Sequence, residues 1–193
     1  MRPDVLDRGY GVGTKLLFGM IRLMSGRPLP DAARITFYRA DFYGTQAKRL
    51  THEAMRGPSE WSVGDRELMA AYISKLNEAP FCVGAHTATA AAAYQDRDRV
   101  DAALADLDSA ALGEGLRATL TMLGTLTTRG SLDADEVRRV LATGVSPRQV
   151  EDALAVAVTF NTTGRLANAF AFEVLDRDGF EAGARYLLKR GYR

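Results

Sequence analysis

Residues 64–93, with the sequence GDRELMAAYISKLNEAPFCVGAHTATAAAA, decide the fold of this chain and contain its only cysteine. The segment predicts one helix up to a break at 77–80 and a second helix that begins at Pro80. Proline suits the first turn of a helix, because its missing N–H would have no helical partner there. Cys82 is therefore expected in the first turn of the second helix, and the break allows the first helix to fold back against the second.

Three residues of this segment have the side chains that thiol chemistry uses. Cys82 and His86 are four residues apart, so they share one face of the second helix. A helix N-terminus and a nearby imidazole each lower the pKa of a thiol. Glu67, on the first helix, can orient the imidazole in a set of nucleophile, base and orienting group. These residue types suit a catalytic thiol at Cys82, with the alternative that this cysteine is only a small buried hydrophobe, the usual role of a lone cysteine in an alanine-rich helix.

The order of Glu67, Cys82 and His86, with the flanking sequences DRELMAAYIS and FCVGAHTATA, resembles the alkylhydroperoxidase D-like (AhpD-like) carboxymuconolactone decarboxylase family. The resemblance extends over residues 30–193. It implies an all-α, AhpD-like helical bundle that assembles as a homo-oligomer, a trimer or a multiple of trimers. One feature departs from the family's Cys-x-x-Cys pattern, because Ala79 stands where the first cysteine would be.

The composition argues against several classes of protein. Lys and Arg number 25 against 24 Asp and Glu, a formal net charge of +1, so no overall charge favours nucleic acid or an anionic membrane as a partner. A single cysteine cannot form an intrachain disulfide, and two histidines, His52 and His86, argue against a metal site. We expect no cofactor, and the cysteine usage favours a reducing cytoplasm. His52, in the polar stretch KRLTHEAMR, is predicted to lie on the surface.

The first part of the sequence predicts an arm, residues 1–29, ahead of a single domain, residues 30–193. The apolar run TKLLFGMIRLM is interrupted by Lys15 and Arg22 and has no signal-peptide cleavage site. It is also shorter than the roughly 20 residues that a membrane-spanning helix needs. We therefore expect an amphipathic helix that docks on the domain or on a neighbouring subunit.

The remaining sequence predicts helices joined by short loops, with almost no strand signal. Helix start and stop residues favour helices at 14–25, 32–56, 62–77, 80–95, 98–106, 110–129, 134–143, 147–175 and 178–190. The chain is therefore predicted to be all-α. Arg165 falls inside the most apolar of these segments, where an isolated charge would be costly, so we expect it to form a salt bridge at a helix or subunit interface, with contact to a substrate as the alternative.

A faint internal repeat relates two parts of the chain. Aligning Ser62 with Ser146 also pairs Asn77 with Asn161. The pairing resembles the family's repeated two-helix unit, whose apolar face is buried only against another element, although two amphipathic helices can match by chance. The second copy has leucine and phenylalanine at the positions of the cysteine and histidine, so only the first copy would carry thiol chemistry.

The resemblance implies functions from three classes. The first is a single-cysteine, thiol-dependent hydroperoxide reductase, in which His86 takes the proton of Cys82, Glu67 tunes the histidine, and the thiolate becomes a sulfenic acid. Without a second cysteine, an external thiol must reduce that sulfenic acid. The second is a carboxymuconolactone decarboxylase-like enzyme in which Glu67 and His86 transfer protons and Cys82 takes no part. The third is a catalytically degenerate oligomer that binds a small molecule or a partner protein.

Overall fold

The computed structural model describes residues 4–192, and these residues form eleven α-helices and one π-helical segment, with no β-strand among them. The helices are α1 (Val5–Arg8), α2 (Val12–Ser25), α3 (Asp31–Tyr38), α4 (Thr45–Arg56), α5 (Val63–Leu76), α6 (Pro80–Tyr94), α7 (Arg97–Ala105), α8 (Glu114–Arg129), α9 (Ala134–Ala142), α10 (Pro147–Ala169) and α11 (Arg177–Arg190). The π-helical segment, Ala40–Gly44, connects α3 to α4. The prediction of an all-α chain is confirmed. None of the helices formed by residues 4–192 is long and apolar enough to cross a membrane.

The hairpin of α5 and α6 lies at the centre of the fold. A capping box formed by Ser62 and Asp65 begins α5, and Asn77 ends it. The chain then turns through Glu78, whose φ of 50° is in the left-handed region, and Pro80 begins α6 as the sequence predicts. The two helices pack along each other, and α6 also packs extensively against α11.

The buried apolar side chains form two clusters. The larger cluster lies between α5, α8 and α10 and includes Met69, Leu123 and Phe160. The smaller cluster gathers around the start of α6 and is formed by Leu6, Ile35, Ala79, Phe81, Cys82, Ala167 and Phe172. Full burial of one large apolar side chain contributes about 1.5–3 kcal/mol, so both clusters stabilise the hairpin. The cysteine thus lies in the smaller cluster, among apolar neighbours.

The last helix approaches α6 closely because α6 has a glycine at the contact. A Cβ atom on Gly84 would lie 2.4 Å from the ring of Phe180, which belongs to α11. The same ring lies 5.9 Å from the ring of Phe81, between centroids. Phe180 therefore fixes α11 against α6, and the chain that follows α11 returns to His86 through Tyr192.

The segment 32–56, predicted as one helix, is divided in the structure into α3, the π-helical segment and α4. Gly44 explains the division. A Cβ atom on Gly44 would lie 1.7 Å from the carbonyl oxygen of Thr36, so the backbone here lies directly against α3. Only glycine permits this contact, which changes the direction of the chain before α4 begins.

The helix predicted at 147–175 is shorter in the structure, because α10 ends at Ala169. Ala171 has a φ of 47°, in the left-handed region. The N–H of Phe172 then donates to the carbonyl oxygen of Ala167, the hydrogen bond that closes many helix ends. The left-handed residue is an alanine, so the sequence contains no glycine to indicate this ending.

The internal repeat holds at the helix starts and fails at the break. Ser62 and Ser146 each begin a helix with a capping box. The aligned residues Asn77 and Asn161 bind each other, with 2.9 Å between Nδ2 of the first and Oδ1 of the second. The second copy nevertheless forms the single helix α10, because it has a glycine where the first copy has a helix-breaking proline. The two-helix unit is formed only by α5 and α6.

The predicted arm contacts the domain at three points: Leu6 is buried in the smaller cluster, Arg27 forms a salt bridge with Asp176, and Phe18 packs on an aromatic side chain of α3. The ring of Phe18, on α2, lies edge-on to Tyr10 and Phe37, with 5.0 and 5.4 Å between centroids. The opposite side of α2 is apolar and exposed, and it consists of Val12, Leu16, Met20, Leu23 and Met24. We call these five side chains the α2 stripe. Residues 1–3 of the arm lie outside the described residues.

Candidate active site

Glu67 is completely buried and is surrounded by hydrogen-bond donors. Its Oε2 atom lies 2.7 Å from Nδ1 of His86, on α6. Its Oε1 atom accepts hydrogen bonds from Nη2 of Arg56 at 2.7 Å and from the hydroxyl of Tyr192 at 2.9 Å. Arg56 ends α4 and Tyr192 follows α11, so four separate parts of the chain meet at one carboxylate.

The surroundings hold Glu67 in its ionised form. Burial alone raises the pKa of Glu67, but the hydrogen bond from His86, together with the charge and hydrogen bond of Arg56, outweighs it and leaves the pKa below its ordinary value. Tyr192 is affected in the opposite direction. Burial, and then the charge of Glu67, raise the pKa of Tyr192 well above its ordinary value. The hydroxyl of Tyr192 therefore stays protonated and donates a hydrogen bond to the carboxylate.

The hydrogen bond to Glu67 assigns the tautomer of His86. A carboxylate only accepts hydrogen bonds, so the imidazole proton lies on Nδ1 and the lone pair lies on Nε2. The ring packs edge-on against Phe160, with 4.3 Å between centroids. His86 can therefore accept a proton at Nε2, and the neighbouring carboxylate stabilises the imidazolium that forms.

Cys82 does not have the lowered pKa that the sequence predicts. The residue is 2% exposed, inside the smaller apolar cluster, and burial raises the pKa of its thiol to about 12. Within residues 4–192 the thiol makes no hydrogen bond to His86, although both residues lie on one face of α6, one turn apart. The position near the helix N-terminus does not outweigh the loss of solvation, so the resting form is the neutral thiol.

The structure brings Glu67 and His86 into contact and adds two residues that the sequence did not indicate. Arg56 precedes a Gly-Pro pair, and this pair predicts only the end of a helix. Tyr192 is separated from Glu67 by 125 positions and lies in a basic stretch that reads as a solvated tail. Neither residue has a local pattern that would reveal its role, because both act through contacts made only in the folded chain.

Two polar residues lie in other environments than predicted. His52 is half-buried and not at the surface, and its Nδ1 atom accepts a hydrogen bond from the N–H of Tyr192 at 3.4 Å. The turn at Gly191 lies directly against the His52 ring. Arg165 is exposed, and within residues 4–192 it forms no salt bridge. The predicted salt bridge of Arg165 is therefore wrong within the chain, and a salt bridge at a subunit interface stays a prediction.

A groove of about 540 Å³ lies between α4 and α10. Apolar and hydroxyl side chains, including Phe42 and Thr159, form most of its walls, together with Gln46, Arg49 and Glu53. Tyr43 lines the groove and packs against the cluster that contains Cys82. Tyr43 therefore contacts both the groove and the surroundings of the thiol.

Solved structures share this helical fold, which is AhpD-like. An uncharacterised peroxidase-related protein from Silicibacter sp. TM1040 superposes with a TM-score of 0.76 at 19% identity, covering 91% of each chain. The AhpD core of a peroxidase-related protein from Ralstonia eutropha JMP134 superposes with a TM-score of 0.73 at 18% identity, also covering 91% of each chain. The debrominase Bmp8, in complex with 2,3,4-tribromopyrrole, superposes with a TM-score of 0.70 at 15% identity. The superposition covers 92% of this chain and 90% of the debrominase chain.

Residues 43–125 match the model of the carboxymuconolactone decarboxylase family, and the resemblance that the sequence indicates is thereby confirmed. The matched range contains Glu67, Cys82 and His86, whereas Tyr192 lies beyond it. No curated protein matches the sequence significantly.

Proposed function

We propose that this chain is a thiol-dependent reductase of a small-molecule hydroperoxide, with Cys82 as the attacking group and His86 as the base. The proposal rests on the 2.7 Å hydrogen bond between Glu67 and His86. That bond leaves the basic Nε2 atom of His86 on the helix that carries Cys82 one turn earlier. The peroxidase-related proteins that share the fold support the same class of reaction.

The first half-reaction begins from the neutral thiol. Nε2 of His86 accepts the thiol proton of Cys82 while the sulfur attacks the terminal oxygen of the hydroperoxide. An S–O bond forms, the O–O bond breaks, and its electron pair leaves on the alkoxide, which takes the proton from the imidazolium. Cys82 is oxidised to a sulfenic acid, and the hydroperoxide is reduced to an alcohol.

An external thiol completes the cycle, because Ala79 leaves Cys82 without a second cysteine in the chain. This thiol condenses with the sulfenic acid to form a mixed disulfide and water. A second external thiol then attacks the mixed disulfide, releases Cys82 as a free thiol, and leaves as the disulfide of the reductant.

The groove beside Tyr43 supports a substrate with an apolar organic group. Its apolar side chains suit the alkyl part of an organic hydroperoxide, and its hydroxyl, amide and charged side chains can bind the polar part. Cys82 itself is buried, so the reacting oxygen reaches the sulfur only when Tyr43 moves away from the cluster around the thiol.

A second function, proton transfer of the decarboxylase type, is favoured because Cys82 is a buried neutral thiol. The thiol has a raised pKa and no hydrogen bond to His86, whereas the bond between Glu67 and His86 is complete. In such an enzyme His86 and Glu67 move protons on the substrate and Cys82 takes no part. The debrominase Bmp8 supports the view that this fold serves more than one reaction.

Turnover of cumene hydroperoxide with dithiothreitol as the reductant separates these functions. Cys82→Ser and His86→Gln should each abolish the activity, and the exposed-site variant Thr121→Ser should retain it. Full activity of Cys82→Ser would exclude the reductase. If the wild type does not turn over the hydroperoxide but decarboxylates a lactone acid, the second function holds, and if it does neither, the chain is a binding module.

We also propose that the chain forms a homo-oligomer through the α2 stripe. The stripe is a continuous apolar surface on a helix that contacts its own domain through Phe18 on the other side. Exposed apolar patches of this kind mark interaction surfaces. A second copy presents the same stripe, so two helices can bury these side chains against each other.

A further inference from the structure

We infer that Arg56 and Tyr192 are positioning residues, which hold the Glu67 carboxylate by its Oε1 atom so that Oε2 faces His86 and fixes the Nδ1–H tautomer. The inference deepens the proposed function, because it names residues that act through Glu67. It concerns the state of the histidine and therefore holds for a thiol reductase and for a proton-transfer enzyme alike.

The hydrogen bonds of Glu67 leave its carboxylate one orientation. Oε1 accepts from Arg56 at 2.7 Å and from Tyr192 at 2.9 Å, while Oε2 lies 2.7 Å from Nδ1 of His86. Rotation of the carboxylate would break these bonds at a fully buried residue, where an unsatisfied polar group is costly. The donors on Oε1 thus direct Oε2 at the imidazole.

Arg56 is itself held in place by the backbone around it. Its Nη1 atom donates to the carbonyl oxygen of Met55 at 2.8 Å, and Nη2 also reaches the carbonyl oxygen of Leu187 at 3.3 Å. The guanidinium lies over the ring of Tyr192, 5.1 Å from its centroid. The side chain therefore cannot leave Glu67 without losing contacts to α4, to α11 and to the aromatic ring.

Tyr192 completes the arrangement from the other side of the site. Its hydroxyl is 2.9 Å from Oε1 of Glu67 but 3.5 Å from Nδ1 of His86, so the phenol proton belongs to the carboxylate. The backbone N–H of Tyr192 is anchored on Nδ1 of His52. The half-buried histidine that the sequence assigned to the surface therefore fixes the chain that carries the phenol.

One other charged pair lies close to this network. Arg66, next to Glu67 on α5, donates to the carbonyl oxygens of Gly57 and Ala54, and the charge of Asp152 faces it. Arg66 makes no hydrogen bond to Glu67 within the described residues. Arg56 is thus the cation in direct contact with the carboxylate.

A purely structural role for the two residues predicts a different result from a positioning role. If Arg56 and Tyr192 only anchor the chain after α11, their removal lowers stability and leaves the tautomer of His86 unchanged. If they position Glu67, their removal lets the carboxylate turn and populates the Nε2–H tautomer. The tautomer is therefore the property to measure.

The experiment uses full-length protein labelled with ¹⁵N at histidine. The chain has only two histidines, so the signals that disappear in the His86→Gln variant are those of His86. In the wild type we expect the nitrogen shifts of a single Nδ1–H tautomer. Tyr192→Phe should raise the ratio of Nε2–H to Nδ1–H by about fivefold, as expected for one lost hydrogen bond, and Arg56→Met by about tenfold or more, because its hydrogen bond is charged.

Controls keep the result independent of folding. Tyr186→Phe removes the same oxygen from an exposed tyrosine of α11 and should leave the spectrum of His86 unchanged. Arg56→Lys keeps the charge and should restore most of the Nδ1–H tautomer that Arg56→Met loses. If Arg56→Met does not fold, Tyr192→Phe, which removes a single oxygen atom, decides. A folded Tyr192→Phe protein with the wild-type tautomer ratio would overturn the inference.

The outcome is separable from the proposed function. A tautomer change in a protein that does not reduce hydroperoxide would retain the positioning role and remove the reductase. Hydroperoxide reduction with an unchanged tautomer ratio in Tyr192→Phe would retain the reductase and remove the positioning role.

Discussion

Cys82 and His86 occupy one face of α6, one turn apart, yet within the described residues no hydrogen bond joins the thiol to the imidazole. Nδ1 of His86 is bound to Glu67, and the cysteine lies in the smaller apolar cluster. The nucleophile and the base are therefore held on one helix but not paired at rest. The thiol is neutral before substrate binds, and we expect its proton to pass to His86 only when the substrate is bound.

The alkylation of Cys82 should require a higher pH than that of a free thiol. Burial raises its pKa to about 12, so the thiolate is scarce at neutral pH and iodoacetamide should react slowly. The rate against pH, followed by intact mass, should have a midpoint far above the ordinary value of about 8.5. In denaturant the midpoint should return to that value, and a native midpoint at or below it would contradict the burial.

Removal of the Tyr43 ring should expose the thiol to the groove. In Tyr43→Ala we expect alkylation of Cys82 at a fixed high pH to become several-fold faster, because the ring packs against the cluster around the sulfur. Tyr186→Ala, a truncation of the same size at an exposed position of α11, serves as the control. Equal rates for both variants would place the route to Cys82 elsewhere.

Glu67→Gln should change the acid dependence of stability. The pKa of Glu67 is below its ordinary value in the folded chain, so the carboxylate stabilises the fold above the unfolded pKa of 4.5, and this contribution is lost as pH falls through the folded pKa. Loss of one partner of a buried ion pair costs about 3–5 kcal/mol. The free energy of unfolding in urea should therefore drop at neutral pH, and its fall with acid should become shallower.

Glu151→Gln is the matched control for that measurement, because Glu151 is an exposed acid on α10. It should leave both the neutral stability and the acid profile close to the wild type. If the free energy of unfolding of Glu67→Gln falls from neutral to acid pH by as much as that of the wild type, the pKa of Glu67 is not lowered in the folded chain.

Ala79→Cys should restore an intrachain disulfide with Cys82 after peroxide treatment. Ala79 precedes α6, with φ of −104° and ψ of 82°, so its Cβ direction is not that of a helix residue. Ala85→Cys has the same spacing from Cys82 inside the helix, where Cβ atoms three residues apart are about 5–6 Å apart. A disulfide needs about 3.5–4.5 Å, so Ala85→Cys should not close. Disulfide formation is measured as a loss of mass on oxidation. A disulfide in Ala85→Cys but not in Ala79→Cys would contradict this geometry.

The α2 stripe should determine the oligomeric state. Leu16→Glu and Met20→Glu place acids on the stripe, and both should convert the oligomer to a smaller species in sedimentation at micromolar concentration. Lys15→Glu places the same residue beside the stripe and should not. A wild-type protein that sediments as a monomer would exclude the oligomer altogether.

The sequence predicts the hairpin of α5 and α6 well because its signals are local. Ser62 and Asp65 form a cap, Pro80 begins a helix, and the spacing between Cys82 and His86 follows from the helix period alone. The same local pattern overestimated the reactivity of the thiol. It contains no information on the residues that bury Cys82, several of which come from α1, α3 and the end of α10.

The other half of the site depends on contacts between distant parts of the chain. Tyr192 reaches Glu67 only because Gly84 lets α11 lie close to α6 and because Gly191, with a φ of 69°, turns the chain back toward His52. Neither glycine is distinguishable in sequence from a flexible position. Residues of this kind become visible only when the packing of α11 is known.

Oxidation of Cys82 in a single turnover tests the central claim most directly. The wild type is mixed with cumene hydroperoxide at neutral pH, the sulfenic acid is trapped with dimedone, and the adduct at Cys82 is measured over time by mass spectrometry. We expect rapid formation in the wild type and a rate about 10²–10⁴-fold lower in His86→Gln, the usual contribution of a general base. No adduct at Cys82 while a small free thiol reacts, or equal rates in the two proteins, would contradict a histidine-assisted thiol reductase.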